Sequence, residues 1–214
     1  MSETCPAVTI ANLKPHMLDW DDDKKVDILI KTGLPFAFCE VKIMDPAGNF
    51  LPHDGKATGE LVVRTPSITD TYYKDPERTK ELWRDGWMHT GDIAYIDEEG
   101  YIQITDRLKD VIKTGGEWIS SLDLENLMSH HEAISESAAI GVPDEKWGEV
   151  PCAFVELKTG AETTEADIIA FCRTHLARFK VPKRVEFVSL PKTSTGKIQK
   201  FVLRDLVKSS SAIE

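Results

Sequence analysis

The spacing of apolar positions changes character along the 214 residues, and the change divides the chain. Over roughly the first thirty residues no period holds. Pro6, Pro15 and the acidic cluster between Asp19 and Asp23 interrupt every apolar stretch, which predicts loop. From Gly33 the pattern alternates. Phe36 to Met44 reads as a strand closed by the Asp45–Asn49 turn, and Gly59 to Arg64 as a second strand. Asp75 caps a short helix to Trp83, with Pro76 at its first position. Asp92 to Asp97 and Tyr101 to Thr105 form a hairpin about Glu98-Glu99-Gly100. Short strands with little helix predict a small β-barrel-like subdomain.

After Asp106 strands and helices alternate. Val111-Ile112 and Trp118-Ile119 flank a glycine-centred turn. Ser121 starts a helix to about His131, with Leu122, Leu124, Leu127 and Met128 as its apolar stripe. Strands follow at 138–141 and 152–157. A helix from Thr164 places Ile168, Ile169, Phe171, Cys172 and Leu176 on its apolar positions. A strand at 185–188 and a helix at about 200–208 complete a compact α+β domain. The fold class is α+β throughout. The divisions are 1–105, a junction at 106–110, and 111–214.

Composition narrows the function classes. A net charge of -10 argues against bulk nucleic-acid binding. Yet nine of the eleven charges between Arg178 and Lys208 are basic, which suits a phosphate-bearing small molecule or, equally, a solvated helix surface. No apolar run reaches the roughly 18–20 residues of a membrane helix. The first residues lack a basic and then apolar leader pattern, so a cytoplasmic location is expected. Cys5, Cys39, Cys152 and Cys172 are too scattered for a zinc site and read as free thiols.

Three segments carry candidate chemistry. In Thr105 to Ser120, Asp106, Arg107, Lys109 and Asp110 crowd four charges into five positions. Such a cluster is costly to bury unpaired and is expected to line a wet cleft. Gly115-Gly116 lets a ligand approach the backbone closely, although the run also reads as a plain hairpin turn after a charged linker. Leu190 to Gln199 holds a Gly-Lys pair in a Ser/Thr-rich loop. It lacks the phosphate-loop spacing, so Lys197 is either a delivered point charge or a surface lysine. In Trp87 to Asp92, Asp92 follows a glycine where a carboxylate can accept hydrogen bonds from ribose hydroxyls. Thr90-Gly91-Asp92 is also ordinary turn chemistry.

Together and in this order, the three segments resemble the adenylate-forming superfamily of acyl-CoA synthetases, luciferases and peptide-synthetase adenylation domains. Over 106–120 the run looks most like medium- and long-chain fatty acyl-CoA synthetases. The resemblance covers nearly the whole chain and implies an acid–thiol ligase that converts a carboxylic acid to acyl-AMP and then acyl-CoA. Its implied partners are the acid, ATP, Mg²⁺ and coenzyme A. It implies that Glu3 binds Mg²⁺ and that Ser2 sits beside the α-phosphate. Asp92 holds the ribose with support from Arg107, and Lys113 and Trp118 contact the nucleotide. Lys109 is both a nucleotide-side residue and the hinge, making 106–110 a hinge segment. Gly115 and Gly116 border the pantetheine channel. Lys197 reaches between the acid and the α-phosphate as the catalytic cation.

The family's Ser/Thr/Gly-rich phosphate loop has no counterpart in these residues, and Met1-Ser2-Glu3-Thr4 looks like the end of a family motif. The sequence is therefore expected to be a fragment without independent ATP activation. Two alternatives stay open: a non-catalytic nucleotide- or partner-binding module, and an adenylation domain that transfers to a carrier-protein thiol.

Overall fold

The computed structural model describes residues 2–211, and the chain separates into two compact units, 1–108 and 109–214. In the first unit, β1 (Thr9–Ile10) pairs with β2 (Leu34–Pro35). Between them lies α1 (Asp22–Leu29), where loop was expected. The acidic cluster does not break this helix. Asp21 is its N-cap, accepting the Lys24 N–H at 3.0 Å, and Asp22 and Asp23 fill the first turn. Anions there satisfy orphan amides and oppose the helix dipole.

The remaining elements of this unit are β3 (Glu40–Met44), β4 (Gly59–Arg64), α2 (Pro76–Leu82), β5 (Trp83–Arg84), β6 (Trp87–Ile96) and β7 (Ile102–Arg107). They form an antiparallel sheet in the order β3-β4-β6-β5, with β7 also on β6, curled into a half-barrel. The strand expected from residue 36 begins only at Glu40, because Phe38 turns the backbone at φ 67. Conversely, β6 starts five residues before the expected Asp92. Gly91, at φ 68, lies within the strand, and the pairing shifts register between Ile93 and Ala94. A glycine and a bulge let one strand both pair and re-aim its side chains. Ile43, Val63, Met88, Ala94, Ile96 and Ile102 form the core of this unit.

The second unit comprises β8 (Ile112–Thr114), β9 (Glu117–Ile119), α3 (Ser121–Ser129), β10 (Ile134–Asp144), β11 (Gly148–Leu157), α4 (Glu165–His175), β12 (Arg184–Phe187) and α5 (Lys200–Ser211). The sheet runs β10-β11-β8-β9, with β12 parallel to β11. That parallel pair is the reason for the intervening α4, since parallel neighbours need a crossover. Both faces are covered. Ala139, Ala153 and Val155 pack with Leu124 and Met128 of α3 and Ile168 and Cys172 of α4. The alternate residues Ala138, Ile140, Cys152 and Phe154 pack with Leu203 and Val207 of α5. This two-sided burial explains the nearly unbroken apolar run at 150–155. Cys152 and Cys172 are free and fully buried, and burial pushes each thiol up to about 11. No helix among the described residues is long and apolar enough to cross a membrane.

Candidate functional site

A cavity of about 920 Å³ opens in the first unit, and Glu3, Asp92 and Arg107 all line it. Sequence separates these residues widely; the sheet brings two of them together directly. Asp92 on β6 and Arg107 on β7 are register partners, and Arg107 Nε lies 2.8 Å from Asp92 Oδ1. Asp92 is 9% exposed. Burial raises its pKa above the ordinary carboxylate value, opposed by the Arg107 charge and reinforced by the negative charge of Glu60. This stretch of β6 is fixed by Thr90 Oγ1, which donates to the Leu61 carbonyl at 2.7 Å and accepts the Asp92 N–H at 3.1 Å. A buried carboxylate with one cation partner keeps acceptor capacity for a ligand's hydroxyl groups.

Glu3 lies in a short 3-10 turn, Ser2–Thr4. The Tyr72 hydroxyl donates to its Oε1 at 2.7 Å and, more than any other contact, holds its carboxyl below the usual range. Glu3 is therefore anionic. No group of three or more His, Cys, Asp or Glu able to hold a metal occurs among the described residues. A lone carboxylate fits Mg²⁺ only when substrate phosphates and waters complete its coordination, which is how that ion is commonly held. Ser2 precedes Glu3 in the same turn and is exposed.

Three further residues form a second polar cluster in the cavity that the sequence reading did not single out. Glu60 Oε2 lies 2.8 Å from His89 Nδ1, and Arg84 Nη2 is 2.9 Å from the same nitrogen. Glu60 Oε1 accepts the Gly91 N–H at 3.2 Å, which ties the cluster to the strand segment that carries Asp92. His89 Nε2 is buried without a hydrogen-bond partner among the described residues. The only sequence signal was the position of His89 inside the Trp87–Asp92 segment.

In the second unit, Lys113 and Trp118 face each other as register partners across the β8–β9 hairpin, with Lys113 exposed and Trp118 half-buried. Gly115 and Gly116 form its turn at φ 57 and 90. The Gly115 N–H donates to the Trp147 carbonyl at 2.9 Å. The Trp147 ring lies so close that a Cβ on Gly115 would sit 2.9 Å from its Cε3. Lys197 is exposed in a closed turn rather than a slack loop. The Thr193 N–H bonds the Lys197 carbonyl at 2.8 Å, and the Gln199 N–H bonds the Pro191 carbonyl at 2.8 Å. Lys109 is exposed in the turn between β7 and β8, at the boundary of the two units. Of the four charges expected to line a wet cleft, Asp110 is 13% exposed and paired with Arg204, and Asp106 departs furthest. It is 2% exposed, with its Oδ1 accepting the Arg107 N–H at 2.7 Å, because β7 continues through it and turns it inward.

Residues 1–73 match the family model for the AMP-binding enzyme, and residues 123–197 match that for the AMP-binding enzyme C-terminal domain. Among curated relatives, 4-hydroxybutyrate–CoA ligase 2 of Metallosphaera sedula is 43% identical over 92% of this chain and 37% of its own length. The peroxisomal acetate/butyrate–CoA ligase of Arabidopsis thaliana is 41% identical over 100% of the chain and 39% of its own length. Among solved structures, ATP-bound MatB from Rhodopseudomonas palustris superposes with a TM-score of 0.80 at 34% identity, over 97% of this chain and 39% of that one. The chain thus spans under two fifths of the length of these curated relatives. The two family matches lie one in each compact unit and together cover more than half of the residues, and the chain belongs to the adenylate-forming family of AMP-binding enzymes.

Proposed function

We propose that this chain is the C-terminal part of an ATP-dependent acid–thiol ligase that forms an acyl-adenylate and then an acyl-CoA. The pairing of buried Asp92 with exposed Arg107 carries the reading: an anchored carboxylate with spare acceptor capacity, in a cavity that also holds an anionic Glu3. Asp92 accepts from the ribose hydroxyls and Arg107 fixes its orientation. Glu3 would hold Mg²⁺, with Ser2 on the phosphate side, and the ion would supply charge neutralisation. Lys113 and Trp118 add a cation and a ring toward the nucleotide.

Joining two anions needs positive charge that appears where the transition state needs it. Lys197, presented on a closed turn with no side-chain partner of its own among the described residues, supplies that charge in the first half-reaction. A rotation at Lys109 then replaces it with the Gly115–Gly116 turn, along which pantetheine passes. The hollow of about 500 Å³ bordered by Arg173, Arg178 and Lys183, with no acid in its lining, suits the phosphates of CoA. The acid is an aliphatic carboxylic acid. That class is common to the fatty acids suggested by the hinge run and the short acids named in the relatives.

The test compares ATP with 2′,3′-dideoxy-ATP in a full-length fusion of this chain to the upstream portion of a relative. A charge-assisted hydrogen bond is worth roughly 1.5–3 kcal/mol, so Asp92→Ala should weaken ATP about 10- to 100-fold and leave the dideoxy analogue unaffected. If the unaltered fusion does not distinguish the two nucleotides, Asp92 does not hold the ribose.

A further inference from the structure

The backbone on each side of the 108/109 boundary is tied to its own unit. The Leu108 N–H donates to the Gly91 carbonyl at 2.8 Å, within 1–108. One guanidinium nitrogen of Arg204, Nη2, donates to the Lys109 carbonyl at 3.0 Å and to Asp110 Oδ1 at 2.7 Å, within 109–214. This is not a loose surface pair: the Asp110 and Arg204 side chains are 13% and 27% exposed. Arg204 is also held from behind. Its neighbour Leu203 is fully buried, Val207 lies one turn on, and Lys200 pairs with Glu125 at 2.7 Å.

These contacts dictate which bonds can turn. The Leu108 amide moves with the first unit and the Lys109 carbonyl with the second. Rotation is left to φ and ψ of Leu108 and of Lys109, while φ of Asp110 and the bonds beyond it are held. The helix that clamps the carbonyl begins at Lys200, three residues after Lys197, and the intervening turn is closed by backbone bonds. One stiff element thus spans from the pivot to the proposed catalytic cation.

We infer that Arg204 is a positioning residue: it makes the Lys109 carbonyl part of the mobile unit, confines the hinge to the bonds upstream of it, and fixes how far Lys197 stands from the pivot. The functional half of this inference rests on the ligase reading above; the clamp itself does not. A hinge with few free torsions returns its cargo to the same place, and an ångström of misplacement in a reacting group can cost about 100-fold in rate.

The experiment uses Arg204→Gln and Arg204→Lys. Lysine keeps a charge for Asp110 but is shorter and replaces the rigidly oriented Nη2 donor pair with a freely rotating ammonium. In the 214-residue chain, ¹⁵N relaxation should show backbone order at Lys109 and Asp110 falling from about 0.85 toward about 0.6 in Arg204→Gln. Leu203 and Val207 should stay rigid, with Arg204→Lys intermediate. In the full-length fusion, kcat for ATP–pyrophosphate exchange should fall on the order of 100-fold at unchanged KM for ATP, with partial recovery in Arg204→Lys. Unchanged order at Lys109 and Asp110 in both variants overturns the clamp. Loosened order with full exchange activity overturns the positioning of Lys197. Full exchange activity in Lys197→Ala refutes the ligase reading instead and leaves the clamp standing. Should Arg204→Gln fail to fold, Arg204→Lys carries the same comparisons.

Discussion

Gly115 and Gly116 share a turn but differ in what surrounds them, and this allows the cost of one contact to be isolated. Both have positive φ, 57 and 90, so alanine at either strains the backbone by about 1 kcal/mol. At Gly116 nothing lies within 4 Å of the added Cβ. At Gly115 the methyl would meet Trp147 Cε3 at 2.9 Å, well inside the 3.5–4.0 Å optimum for carbon pairs. The backbone cannot slide, because the Gly115 N–H holds the Trp147 carbonyl. The indole, 44% exposed, has to swing outward and give up its seat over the glycine, worth about another 1 kcal/mol. Gly115→Ala should therefore cost about 2 kcal/mol and Gly116→Ala about 1. The assay is urea-dependent hydrogen exchange of the β10 and β11 amides, which reports the second unit alone. On a Trp147→Ala background the Gly115→Ala cost should drop to that of Gly116→Ala. Equal costs in the parent chain, or no change on that background, would refute the argument.

Other perturbations follow from the same contacts. Lys200→Met removes the cation from Glu125, both side chains being less than a fifth exposed, while the Ala139 N–H bond to Glu125 Oε1 remains. It should cost about 2 kcal/mol in the same exchange measurement, through loss of a charge-assisted hydrogen bond. Asp92 has a raised pKa, so its ionised form opposes folding, and stability falls as pH rises from its unfolded value through the folded one. Asp92→Asn should hold or raise the thermal midpoint near neutral pH, with that gain disappearing in acid, while nucleotide binding weakens. Glu3 has the opposite sign: its stabilising contribution is present above the unfolded pKa and lost as pH falls through the folded one. Tyr72→Phe should raise the Glu3 titration midpoint measured by ¹³C NMR and weaken nucleotide-dependent Mg²⁺ binding.

Legibility in the sequence followed the range of the interaction. Alternation and turn chemistry revealed the β6–β7 hairpin, and its register alone sets Arg107 against Asp92. The β8–β9 turn was legible from its glycines in the same way, and the observed register sets Lys113 opposite Trp118. The α1 helix was missed because its aspartates were read as breakers when they form a cap, a distinction that depends on which residue adopts the extended backbone. Glu60 and His89 are 29 residues apart, and Asp110 and Arg204 are separated by 94, so no local pattern links either pair. Asp106 was misjudged because a charge cluster in sequence is split by a strand, which sends successive side chains to opposite faces.

The most direct measurement of the account follows both half-reactions of Lys197→Ala in the full-length fusion by rapid quench. Acyl-adenylate formation should drop roughly 10²–10³-fold, while thioester formation from supplied acyl-adenylate stays nearly unchanged. An equal loss in both steps would contradict the claim that one swinging cation serves only the first.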